Sequence, residues 1–123
     1  MKNLFLFTLI FLAFIFGCKK PTPDEIIFVS LHDTVHLNQK FNIELISNNY
    51  TVYSWNWINK SAAVDSINHS RRYFYDFPDV ISTETWTFNP VKKGLDTLKF
   101  AYKSITEQNI APLESKSYII LVQ

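Results

Sequence analysis

The sequence predicts an all-β protein, a sandwich of two antiparallel sheets built from about seven or eight short strands. Three observations carry that prediction. Phe41, Ile43 and Leu45 alternate with Asn42 and Glu44, the period of a strand with one buried face. Tyr53, Trp55 and Trp57 alternate in the same way with Ser54 and Asn56; a strand sets the three rings on one side, whereas a helix would scatter them. The short apolar runs are broken by Asn, Asp, Pro and Lys, with no internal repeat and no strand–helix alternation of the kind a parallel sheet requires.

The first segment stands apart from this pattern. Residues 1–17 combine Lys2, a run from residue 4 to residue 16 that is apolar except for Thr8, and Gly17, the layout of a secretory signal. The run is short for a bilayer span, which takes about 20 apolar residues. Ile15-Phe16-Gly17-Cys18 resembles the lipobox of bacterial lipoproteins, and Cys18 is the only cysteine. The resemblance implies lipid attachment at Cys18 and a membrane-anchored protein of the bacterial cell envelope, outside the cytoplasm. Residues 18–25, polar and containing Pro21 and Pro23, then form a tether, and the domain occupies residues 26–123.

Within the domain, residues 26–31 and 34–37 read as two strands around His32-Asp33, and Asn38-Gln39-Lys40 turns the chain into a strand at 41–46. After the aromatic strand at 53–57, residues 62–67 fit no single period, and a helical turn is one option there. Residues 70–77 carry Tyr73, Phe74 and Tyr75 and are broken by Pro78-Asp79. A strand at 83–88, a turn at 89–94 and strands at 95–103 and 115–122 complete the count.

Composition excludes several functions. Cleavage before Cys18 removes Lys2 as its only charge, leaving 11 Lys and Arg against 11 Asp and Glu, a balance without the basic excess that nucleic acid demands. With Cys18 committed to lipid, no disulfide can form and the core alone must hold the fold; the lipid needs no oligomer, so a monomer is expected. His32 and His36 have a metal-like spacing, but Asp33-Thr34 is expected to turn the chain between them and no Cys or carboxylate cluster completes a ligand set, so neither metal nor cofactor is expected. Asp65, Ser66, His69 and Ser70 lack a nucleophile elbow or glycine-rich oxyanion loop, so no enzyme is expected. Arg71-Arg72, beside Asp76 and Asp79, reads as a solvated charged edge. Asn-X-Ser/Thr sequons at Asn49, Asn59 and Asn68 carry no meaning in a bacterial lipoprotein.

Residues 45–57, LISNNYTVYSWNW, carry a resemblance. Leu45, Ser47, Asn48, Thr51, Tyr53, Ser54 and Trp55 fall in ungapped register with the Leu-Pro-Ser-Asn-Pro-Thr-Thr-Gly-Tyr-Ser-Trp loop of chagasin-type inhibitors of papain-like cysteine peptidases. TWTFNPVKKGLDTLKFAY, residues 85–102, is similar to the same family's aromatic strand, basic-glycine turn and tyrosine-ended strand. The resemblance implies an immunoglobulin-like sandwich that inhibits such peptidases non-covalently. Loops at one end would enter the cleft: Asn48, Asn49, Tyr50, Thr51, Val52 and Tyr53 as the central wedge, with Val80, Ile81 and Ser82 in a second loop and Lys103, Ser104 and Ile105 in a third. The departures lie in these loops. Ile46, Asn49, Tyr50 and Val52 replace two prolines, a threonine and the glycine; residues 78–84 hold no glycine; and no tryptophan follows Lys103 where the family carries Arg-Pro-Trp. They keep open an alternative, an envelope lipoprotein of the same fold that binds another protein or a glycan.

Overall fold

The computed structural model describes residues 25–48, 52–76 and 79–123. Eight strands form two four-stranded sheets, and no helix occurs among the described residues. They are β1 (Ile27–Phe28), β2 (His32–Val35), β3 (Phe41–Asn48), β4 (Tyr53–Trp57), β5 (Val64–Asp76), β6 (Asp79–Pro90), β7 (Gly94–Ser104) and β8 (Glu114–Val122). One sheet has the order β1-β3-β6-β5, the other β2-β8-β7-β4.

The alternation seen in the sequence becomes the core. Phe41, Ile43 and Leu45 of β3 and Phe88 of β6 face Trp55 of β4, Leu98 and Phe100 of β7 and Ile120 of β8, all essentially inaccessible to solvent. Phe88 is the junction: it stacks on Phe41 at 5.5 Å and meets the edges of Trp57 at 5.1 Å and Phe100 at 6.2 Å. Two positions need unusual backbone. Asn38 adopts φ 63° in the turn closed by the Gln39 N–H to His36 carbonyl bond, and Gly94 opens β7 at φ 142°.

Several expectations are corrected. The sheets are not wholly antiparallel, because β1 pairs with β3 and β2 with β8 in parallel. Residues 26–31 shrink to a two-residue strand, after which the chain crosses from one sheet to the other. His32 and Asp33 lie inside β2, so no turn brings His32 to His36; four residues of extended chain separate them by about 13 Å. Residues 62–67 hold no helical turn. β5 begins at Val64, and a bulge between Ser66 and Asn68 inserts one residue, which breaks the period of two and hides the strand from pattern reading. β6 starts at Asp79, four residues before the strand expected at 83, and Asp79 pairs with Asp76, so the link between β5 and β6 is residues 77–78.

The strand directions fix where the connections lie. β3 ends and β4 begins at the same end, or pole, of the sandwich where β5 turns into β6 and β7 into β8. Links 49–52, 77–78 and 105–113 therefore leave from one pole. The chain enters β1 at the other pole, where Gln39 Nε2 donates to the Glu25 carbonyl at 2.8 Å.

Phe88→Ala should lower unfolding free energy by about 3–5 kcal/mol in urea titration, the cost of an unfilled core ring, while Leu95→Ala at the exposed far pole should stay within about 0.5 kcal/mol.

Candidate functional site

The pole where the three links leave is held from beneath by a buried carboxylate. Glu84 of β6 is fully buried and faces inward with Trp86 and Phe88 on the same strand. Its Oε1 accepts the backbone N–H of Trp55 at 2.9 Å; its Oε2 accepts Ser54 Oγ at 3.0 Å and His69 Nε2 at 2.9 Å. Arg71 Nε lies 3.8 Å from Oε1. Since β4 is the edge of its sheet, the Trp55 N–H has no strand to meet, and Glu84 of the opposite sheet supplies the acceptor.

Trp55 is tied a second time, its indole Nε1 donating to the Ile46 carbonyl at 3.4 Å, while its ring lies 5.2 Å from Tyr102 and under Lys116 Nζ at 5.3 Å. The Ser47 and Ser82 hydroxyls bond across β3 and β6, and Arg71 Nε and Nη2 both donate to Ser82 Oγ. Between links, the Ile105 N–H donates to the Val52 carbonyl at 2.7 Å. The third link is shaped at its start by Ser104 Oγ, which accepts the N–H groups of Thr106 and Glu107, and is closed by the Leu113 N–H to Tyr102 carbonyl bond.

The expected site residues fall as follows. Asn49, Tyr50 and Thr51 lie outside the described residues, as do Cys18, the signal segment 1–17 and all of the tether but Glu25. Asn48 ends β3 and Tyr53 begins β4, so they flank the first link; Tyr53 packs on Tyr102 at 5.4 Å, and Val52 is exposed. Val80, Ile81 and Ser82 are not in a loop: they belong to β6, and Ser82 is buried under the pole. The aromatic and threonine-rich texture of residues 80–88 suits one continuous strand, so the second link contracts to residues 77–78. Lys103 and Ser104 end β7, and Ile105 alone of that trio lies in the third link.

Sequence reading missed the residues beneath the pole. Glu84 lies in the strand expected at 83–88 and shares the parity of Trp86 and Phe88, and a charged residue on an apolar face is the signal that marks it. The solvated edge expected at Arg71-Arg72 holds for Arg72 only, which is exposed, while Arg71 turns in to Ser82 and Glu84. His69, which with Asp65, Ser66 and Ser70 has no nucleophile elbow beside it, stacks on Trp86 at 4.0 Å and bonds Glu84 through its Nε2. Among the described residues no group of three or more His, Cys, Asp or Glu side chains is placed to hold a metal.

The profile of the chagasin family of peptidase inhibitors, I42, matches residues 34–120, and the chain belongs to that family. Its activity is therefore inhibition, not catalysis. Among solved structures, the crystal structure of the cysteine protease inhibitor EhICP2 from Entamoeba histolytica is similar at TM-score 0.62 and 20% identity, over 80% of this chain and 95% of that one. The solution structure of amebosin is similar at TM-score 0.54 and 14% identity, over 80% and 96%. At these identities the likeness establishes the fold. No curated protein aligns significantly with the sequence.

Glu84→Ala strands the Trp55 N–H, His69 and Arg71 without their acceptor and should cost about 3–5 kcal/mol in chemical denaturation. Glu84→Gln keeps the volume and one acceptor oxygen and should cost less, about 1–3 kcal/mol.

Proposed function

We propose that this protein is a non-covalent inhibitor of papain-like cysteine peptidases, and that its three polar-end links enter or flank the active-site cleft. The observation that carries the reading is the departure of links 49–52, 77–78 and 105–113 from one pole above a cross-sheet clamp. The family membership and the likeness to a cysteine protease inhibitor of Entamoeba histolytica support the same class of target. Asn48, Asn49, Tyr50, Thr51, Val52 and Tyr53 form the central wedge. A stiff base under the wedge limits the ordering entropy lost on docking, which is where a rigid inhibitor gains affinity. The immunoglobulin-like sandwich thus acts as a handle that presents its links already positioned.

The same proposal includes the anchor. Cleavage before Cys18 and lipid on its thiol would hold the protein to a membrane of the bacterial envelope through a tether of residues 19–25, at most about 25 Å long when extended. Because the chain enters at the pole opposite the links, the wedge would face away from the lipid surface. A monomer suffices for both tasks.

Papain inhibition by a fragment beginning at Lys19 tests the wedge: micromolar or tighter inhibition that weakens at least tenfold in Tyr50→Ala with Thr51→Ala is expected. No inhibition at high micromolar concentration would move the protein to the alternative, a lipoprotein that binds another protein or a glycan. Cys18→Ser should abolish processing and release the protein from the membrane fraction; persistence of a processed, membrane-bound form would remove the lipid anchor.

A further inference from the structure

The arm formed by β5 and β6 carries a feature that the three links do not account for. Tyr73 and Tyr75 share the inward parity of Arg71 on β5, yet they are 39% and 80% exposed, the exposure rising toward the pole. Arg71 stands level with Glu84, and Tyr75 lies four residues, about 13 Å, nearer the pole. On the opposite face Phe74 and its cross-strand neighbour Ile81 are also exposed, with Arg72 over the Phe74 ring at 5.2 Å.

Tyr73 is held from the interior, and Tyr75 stacks on it. Their rings stack at 6.3 Å and 21°, and the Arg71 guanidinium sits 5.0 Å over the Tyr73 ring. Arg71 is itself fixed by Ser82 Oγ and paired with Glu84. A chain of contacts therefore runs from the buried carboxylate to an exposed aromatic surface. Three exposed rings on a 13-residue edge strand would be a liability for a chain whose edges met only water. Tyrosine, with a large amphipathic ring and few torsions, and arginine are residue types enriched at the energetic centres of protein interfaces.

We propose that Tyr73 and Tyr75 form a second docking ledge for the inhibited peptidase, packing against an apolar or aromatic flank of its cleft while the wedge occupies the centre. The inference rests on the inhibitory reading above, and its support is the continuity of this ledge with the pole where the links emerge. The ledge replaces contacts that a longer second loop would make: with only residues 77–78 between the strands, the arm grips through its side chains.

The test uses the full chain, expressed with its leader and purified in detergent, against papain. Tyr75→Ala and the Tyr73→Ala, Tyr75→Ala pair should raise Ki by about 10- to 100-fold, chiefly through faster dissociation. Tyr75→Phe should retain most of the affinity, and Leu95→Ala at the far pole should leave Ki unchanged. If the unaltered chain inhibits and both alanine variants inhibit equally well, the ledge is overturned while the inhibitory reading stands. If the unaltered chain does not inhibit, both fall. Should the pair fail to fold, Tyr75→Ala alone decides, since that side chain is 80% exposed.

Discussion

The structure depends on one carboxylate that joins two sheets. Hydrophobic packing alone is non-directional and would tolerate sliding of one sheet over the other. Glu84 removes that freedom by accepting a main-chain N–H from the edge of the facing sheet, and the Ser54 hydroxyl and His69 imidazole complete its coordination. Burying a charge is costly unless it is fully hydrogen-bonded, and here the donors converge from both sheets. The level at which the sheets are locked is immediately beneath the first link, so the geometry of the pole is set by the same contact that aligns the sandwich.

This arrangement bears on the first link, the wedge of the proposed reading, which lacks the prolines and glycine of the chagasin-type loop it resembles. Proline stiffens a loop by narrowing its own backbone choices. Here the described residues that flank the link are tied down: Ser47 bonded to Ser82, the Trp55 indole bonded to the Ile46 carbonyl, and Ile105 bonded back to Val52. The span that must be ordered by its own residues is short. The same logic reaches the β5–β6 arm, where Arg71 carries the order of the interior out to Tyr73.

Much of this was legible in the sequence, and the failures have physical causes. Period-two alternation located β3, β4 and the inward faces of β6 and β7, because each packs one face on the core. It failed at residues 62–67, where the bulge in β5 shifts the parity, and at β1 and β2, which are too short and too exposed to establish a period. Pro78 and the acidic residues near it look like the start of a longer loop, whereas main-chain pairing resumes at Asp79. The inward parity of Glu84 is legible, but its partners are not, because local sequence gives no sign of donors that arrive from Ser54 and Trp55, some 30 positions earlier. The placement of the links at one pole followed from topology, which the strand count alone does not determine.

The entry of the chain at the far pole, alongside β3, has a mechanical consequence. A pull on residue 25 directed away from the links acts along the axis of β1, so the bonds to β3 and the Gln39 contact share the load in shear and cannot open one after another like a zipper. A captured enzyme tugging at the opposite pole would stretch the sandwich lengthwise, the direction in which its ladders resist best.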